Sequence, residues 1–423
     1  MLLIWLLKIC KQAVMIDIAI TGIGVISPIG MTETTVLESL LASRSGVRAF
    51  ESQALSRPFP MAPVEAQFND SFTRVELPFL DRTTQLAILA AQQATENAGI
   101  VNYSSFGERA GVFFGTVRGG GATEWEWTRQ FYTGEKKTAK PYVIMGCMAN
   151  AGAAQISIRQ QVYGPTASHT SACSSSGSAI ADACRQIRSG EIDVAIAGGA
   201  EAALTPVFLG AWDGLRALAE VDPVPSQSCR PFSRQRTGLV LGEGSVFFVL
   251  ESREHAERRQ APIHAFVAGW GIASDGYHIG SPHQRGQIAA MRSALRTAGI
   301  DASELDYINA HATATRGGDP VEVAALKEVL GNAAQSVPVS ATKALHAHML
   351  GAASAMELLV CVLALRHSFI PATAHLSDID PECSGIRHVT ETMRDQPVRH
   401  AMSLSAGFGG TNAALVVRSS TLD

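Results

Sequence analysis

The chain of 423 residues lacks several features that would have fixed its class at once. Its seven cysteines (Cys10, Cys147, Cys173, Cys184, Cys229, Cys361 and Cys383) make no CxxC pair and no Cys/His finger spacing. An odd, scattered set in a long chain reads as reduced and intracellular, with neither a disulfide framework nor structural zinc. The net charge is only −4, so nothing favours nucleic acid or a strongly charged partner. The opening apolar run, Met1 to Leu7, falls far short of the roughly 20 residues a spanning helix needs. It has no basic segment before it and no clear cleavage site after it, which argues against a signal peptide. Residues 1–14 are therefore read as an extension, with membrane association as the lesser reading. The GxG at Gly22 and Gly24 lacks the third glycine and the ribose-binding acid of a dinucleotide fingerprint. No low-complexity linker interrupts the chain.

What is present reads as alternating strand and helix. Ile16 to Gly22 is a buried strand entering a glycine-rich loop, and 34–42 is helical. Residues 43–75 read as irregular, with Pro58, Pro60 and Pro63 as breakers. A long apolar-periodic helix covers 80–98 and stops at Gly99; a strand follows at 109–115. A related helix–loop–strand unit recurs at 294–313. Two similar halves follow, 15–260 and 261–423, each alternating strand and helix, hence an α/β protein with buried sheets.

Chemistry concentrates in four stretches rich in small residues. The first is Ser-Ala-Cys-Ser-Ser-Ser-Gly (171–177), ahead of a helical pattern at 178–188. A thiol there lies at the positive end of a helix, which favours thiolate and lowers its pKa. A buried structural cysteine is the open alternative. The others are Asn-Ala-His-Ala-Thr (309–313), the 340–351 segment carrying Lys343, His346 and His348, and Gly-Phe-Gly-Gly-Thr-Asn (407–412). Each is read as a strand-end loop, where α/β proteins place their sites. A structural role for any single histidine stays open. His346 and His348 could share a metal, but no third ligand is evident near them.

Taken in order, these motifs resemble the β-ketoacyl-[acyl carrier protein] synthases of the type II, elongating kind. Further matches are Cys-Arg-Pro-Phe (229–232), Leu-Gly-Glu-Gly (241–244), Ser-Asp-Gly-Tyr-His (274–278), Gly-Asp (318–319), Thr-Lys (342–343) and His-Met-Leu-Gly-Ala-Ala (348–353). The resemblance runs from about Met15 to Arg418. It implies a thiolase-like, five-layer αβαβα fold of two pseudo-repeated halves. It implies that Cys173 takes an acyl group from a carrier-protein thioester while His311 and His348 stabilise the enolate left by malonyl decarboxylation. The amides of Cys173 and Phe408 would form an oxyanion hole, with Phe408 also gating the thiol. Lys343 and Glu357 would pair to order the histidine loop. Thr313 and Thr315 would meet the phosphopantetheine arm, and Arg118, Gly407, Asn412 and Glu357 are also placed around the substrate. No metal, nucleotide or flavin is implied, since the arm belongs to the carrier. The implied partners are acyl carrier protein and either a second copy or a Cys-less chain-length factor. Nucleic acid and stable membrane insertion are not implied, and the location is cytoplasmic.

Departures from the family pattern point to a specialised polyketide or aryl-polyene synthase. Ala312 and Ala347 replace usual glycines beside the two histidines, Ala406 a usual Phe by the gate, and Gly280 a common Thr. Arg118 stands where an apolar residue shapes the far acyl pocket, so a buried guanidinium there needs a counter-charge. The basic patch for carrier docking is thin, leaving Lys136, Lys137 and Lys140, with Arg82 alone near Phe79. Two other readings compete. A non-elongating chain-length partner would lack Cys173. A thiolase-like coenzyme A enzyme would carry a second cysteine near the C-terminus.

Overall fold

The computed structural model describes residues 16–138 and 140–421, so the expected extension at 1–14 lies outside the described residues. Strand β1 (Ile18–Ile26) is buried at every position, as its apolar run requires. Helix α1 (Glu33–Leu41) starts at a Thr32 cap whose hydroxyl accepts from the Thr35 amide. Helix α2 (Arg82–Asn97) starts at Asp81, which accepts from the Thr83 amide. Gly99, at φ 68°, ends that helical run in the left-handed conformation that glycine allows. The 43–75 stretch is less irregular than its prolines suggest. Arg48–Phe50 and Phe59–Ala62 pair antiparallel, with Pro60 opposite Ala49.

Ten further strands join β1: β2 (Ala110–Gly115), β3 (Thr166–His169), β4 (Val194–Glu201), β5 (Gly244–Ser252), β6 (Ala265–Ser274), β7 (Tyr307–Asn309), β8 (Pro338–Ser340), β9 (Arg387–His388), β10 (His400–Gly407) and β11 (Thr411–Arg418). Their order is β9-β8-β7-β10-β11-β6-β1-β5-β4-β2-β3. Outward from β1, the pairings with β5 and β4 are antiparallel, and those with β2 and β3 parallel. Outward from β6, the pairings with β11 and β10 are antiparallel, and those with β7 and β8 parallel. The two halves therefore share one topology, and β1 meets β6 where Ile18 faces Val267.

The glycine-rich strands explain the repeat physically. A Cβ on Gly22 or Gly24 would strike the α2 backbone at Ala94 and Ala90. In helix α5 (Gln284–Ala298) the backbone of Ala294 and Ala290 presses on Gly269 and Gly271 in the same way. Small residues on both sides let helix and strand approach closely; the GxG of β1 serves packing.

Two helices fill the middle layer: α3 (Ser175–Arg188), packed on β2 and β4, and α7 (Ala353–His367), packed on β10 and β7. With α2 outside one sheet half and α5 outside the other, the layers run αβαβα, as expected. Leu350–His367 is apolar enough to cross a membrane by composition, yet every residue from Ala353 to Leu365 is buried in the protein. Each buried Leu or Val there contributes about 1.5–3 kcal/mol, which marks α7 as a core helix.

Candidate active site

Cys173 lies in the tight turn that enters α3, after Ala172 at φ 51°. Positive φ in a residue with a Cβ is strain of the kind that gathers at functional sites. The turn is clamped from β10, β11 and α7. The Ser354 hydroxyl donates to the Cys173 carbonyl (3.1 Å), and the Thr411 hydroxyl to that of Ser171 (2.8 Å). Gly407 packs closely on this turn: a Cβ there would come within 2.7 Å of the Thr411 hydroxyl and 3.0 Å of the Ser171 carbonyl, breaking into the clamp. The amides of Phe408 and Cys173 both reach the sulfur.

His311 follows β7. Its amide and that of Ala312 donate to the two carboxylate oxygens of Glu322, at 2.7 Å each. His348 is held by its own amide, which donates to Val240 (2.8 Å), and by its carbonyl, which accepts from Gly242 (2.9 Å). The rings meet edge-on at 5.3 Å, and His348 Nε2 lies 2.9 Å from Cys173 Sγ. The sulfur and one ring nitrogen of each histidine fall within 4.8 Å of one another.

The hydrogen-bond pattern sets the tautomers. Lys343 Nζ donates to His311 Nδ1 (3.2 Å), and the Leu350 amide donates to His348 Nδ1 (3.3 Å). With both Nδ1 atoms accepting, each neutral ring carries its proton on Nε2. Burial, then the charge of Lys343, hold both imidazoles well below their ordinary pKa. The rings are therefore uncharged and present N–H donors. Lys343 is itself fully buried and paired with Glu357.

The thiol departs from expectation. Burial pushes Cys173 up to about 11, against the pull of Lys343 and of the Phe408 and Cys173 amides. The helix N-terminus does not win, because desolvation penalises thiolate more than those groups favour it. The resting sulfur is a thiol.

A cavity of about 750 Å³ opens from Cys173 to solvent. Cys173, His311, His348 and Phe408 line its floor, and Gly407, Thr313, Thr315 and Asn412 line its walls. Asn412 works within the wall: its amide nitrogen donates to Asp275 (2.8 Å) and to the Gly410 carbonyl (3.0 Å). Lys343 and Glu357 sit behind the histidines rather than in the cavity, so Glu357 is not a substrate contact. Arg118 is not in the cavity wall either. In the single chain its side chain is 48% exposed on the loop after β2 and faces Glu124 at 3.5 Å, so no guanidinium is buried there without a partner chain.

Three acids support this region; Asp319 was already part of the Gly-Asp match, whereas Glu322 and Glu201 went unread in the sequence. Glu322 splints the His311 loop as described. Asp319 accepts from the Phe232 amide at 2.8 Å. Glu201 accepts from the amides of Val117 (2.6 Å), Arg118 (3.1 Å) and Gly351 (3.3 Å). The available signal for Glu201 was a lone acid ending an otherwise apolar strand.

A sulfur with two imidazoles is also a donor set that soft cations such as zinc use. Here the ring nitrogens facing the sulfur carry protons and Lys343 adds positive charge beside them, so the set is arranged to donate hydrogen bonds. His346 is turned away, with its nitrogens on the Ala347 carbonyl and the Thr342 hydroxyl.

The chain is similar to known proteins over almost its whole length. The nodulation protein E of Rhizobium meliloti (strain 1021) is 38% identical over 408 residues, 95% of this chain and 98% of that protein. The 3-oxoacyl-[acyl-carrier-protein] synthase 2 of Coxiella burnetii is 36% identical over 410 residues, again 95% and 98%. The solved ishigamide ketosynthase/chain length factor superposes with a TM-score of 0.87 at 31% identity, covering 96% of this chain and 99% of that one. The family models "Beta-ketoacyl synthase, N-terminal domain" and "Beta-ketoacyl synthase, C-terminal domain" match residues 15–256 and 264–377. Together the two models span most of the sequence, and the chain belongs to the β-ketoacyl synthase family.

Proposed function

We propose that this condensing enzyme joins malonyl-carrier protein to an acyl group held on Cys173, with the residues above in the following roles. The Cys173 sulfur attacks the carbonyl of an acyl-carrier thioester. The Sγ–acyl bond forms, the carbon–sulfur bond to pantetheine breaks, and the thiol proton ends on the departing sulfur. Malonyl-carrier protein then enters and loses carbon dioxide. The electron pair of the broken bond becomes an enolate on the thioester oxygen, which the His311 and His348 Nε2–H groups stabilise. The enolate carbon attacks the acyl carbonyl, and its oxyanion is held by the Cys173 and Phe408 amides. Collapse frees the Cys173 sulfur and leaves a β-ketoacyl chain on the carrier. The observation that carries this reading is the Cys173 sulfur and one nitrogen of each of the two imidazoles gathered within 4.8 Å of one another.

On this reading no metal or nucleotide is needed, and the pantetheine arm arrives with its carrier. Thr313 and Thr315, 3.1 Å apart in the cavity wall, would contact that arm, while exposed Lys136, Lys137 and Lys140 would steer an acidic carrier. A second chain, identical or a Cys-less relative, would pair along β3, an open sheet edge. Helices beside that edge expose Phe131, Tyr132, Ile144 and Met145, an apolar surface a partner would cover. Ala406 in the cavity wall and the likeness to a ketosynthase/chain length factor pair support polyketide or polyene extension, in the cytoplasm. Cys173 itself disfavours the chain-length-partner reading. The C-terminal Gly-Phe-Gly-Gly-Thr-Asn segment, without a cysteine, disfavours the thiolase reading.

Intact-mass spectrometry after incubation with acyl-carrier protein tests the assignment. Cys173→Ala should take no acyl group. His311→Ala and His348→Ala should still acylate slowly but form no β-ketoacyl product. Acyl label on Cys173→Ala would overturn the proposal. Light scattering, with and without co-expressed relatives, reads the partner.

A further inference from the structure

Phe408 lines the same cavity as Cys173 from a glycine-flanked loop, and the residue is 40% exposed, so glycines and open space leave its ring free to turn. What meets that ring is helix α4 (Pro206–Gly214). The edge of Trp212 contacts Phe408 with centroids 5.1 Å apart and planes at 75°. One helical turn earlier, Phe208 contacts Trp212 at 6.0 Å and 83°. Both α4 aromatics pack on an apolar cluster that includes Leu209, Val117 and Leu350, and Leu350 stands two residues from His348. The three rings therefore form a continuous aromatic column from the gate to the apolar interior.

The column is built on a fixed base. Thr205 caps α4 by accepting from the Phe208 amide, and Pro206 sets the first turn. Leu209 is fully buried, and Asp213 is tied to Arg57 at 2.7 Å. Trp212 is therefore held while Phe408 can move.

We infer that Trp212 is a specificity-determining residue: it latches the Phe408 gate by an aromatic edge contact and gives its ring to a flat, conjugated acyl chain when the gate swings aside. This inference rests on the proposed role of Cys173 as acyl carrier and names the substrate class that role serves. A saturated chain has no π-face to replace the Phe408 contact, so it loses more on opening the gate. A planar polyene lies against the indole and restores it.

The test uses full-length protein, as wild type, Trp212→Leu and Trp212→Phe. Each is offered an equimolar mixture of a saturated and a conjugated polyenoyl carrier thioester of equal length, and the two Cys173 adducts are resolved by intact mass. Wild type should favour the conjugated chain. Trp212→Leu should lose that preference by roughly three- to tenfold, about 0.6–1.4 kcal/mol at the tenfold-per-1.4 conversion and within the range of aromatic pairs. Trp212→Phe should keep most of it. Without any acyl substrate, iodoacetamide should alkylate Cys173 faster in Trp212→Leu, because the gate is unlatched. An unchanged adduct ratio, or an equal fall for both chains, would overturn the inference. Failure of wild type to form either adduct would instead refute the role of Cys173.

Discussion

Ala347 sits at φ 58°, ψ −170°, with its side chain fully buried one residue before His348. That backbone region is open to glycine and costs other residues of order 1–3 kcal/mol. The alanine therefore holds the histidine at the expense of stability. Ala347→Gly should raise the unfolding free energy by about 1 kcal/mol, and with it the urea midpoint, after the loss of a buried methyl and the looser unfolded chain are subtracted. Ala347→Val should destabilise by more than that and slow condensation, since a β-branched residue fits there worst. A lower midpoint for the glycine variant would show the backbone is not strained. At this scale the sequence picked out the three side chains that the fold gathers, but not the state of the sulfur. A cysteine before a helix suggested thiolate, yet burial, a property of the packed whole, holds the thiol at about 11.

Elements meet at the site through buried acids. Glu201, at the end of β4, binds the loop after β2 through Val117 and Arg118 and the loop after His348 through Gly351. Burial lifts its carboxyl to about 7, against the pull of those three amides. It acts as a positioning residue, tying two loops that no local sequence pattern connects. Glu201→Gln keeps the shape but turns an N–H donor toward backbone donors, leaving at least one of them unpaired at a cost of about 1–3 kcal/mol. Condensation should fall roughly tenfold or more, while the rate of Cys173 acylation stays within about threefold. Equal losses in both rates would reduce Glu201 to general stability. At this scale the end of helix α2 followed from Gly99, read as its stop in the sequence. The short strands at 48–50 and 59–62 followed from no such signal, because pairing with a distant partner overrides local proline signals.

Across the whole molecule, β1 and β5 are locked by a buried charge network. Glu251 accepts from Thr21 on β1, from His255 (2.6 Å) and from Arg259 (2.8 Å). Burial alone would raise its carboxyl, but hydrogen bonds from Arg259, His255 and Thr21 outweigh it and bring it to about 2. The folded pKa lies below the unfolded value near 4.5, so this stabilisation is fully present above about pH 4.5 and is lost as pH falls toward 2. The amount is on the order of 3 kcal/mol. Urea midpoints between pH 6 and pH 3 should therefore fall more steeply for wild type than for Glu251→Gln. Parallel curves for the two proteins would show that Glu251 does not govern the acid limb.

The order of motifs along the chain was enough to settle fold and family, and to pick out Cys173, His311 and His348, which the fold gathers at one cavity. Each motif is a local solution to a local demand: small residues for a close turn, an imidazole or thiol for chemistry, glycines and alanines for tight helix–strand contact. Three things were decided only once the chain closed on itself. They are the Nε2–H tautomers, fixed by Lys343 and the Leu350 amide, the raised thiol, and the aromatic column reaching Phe408 from α4. All three depend on desolvation and on groups far apart in sequence meeting in space, and residue order alone cannot express either.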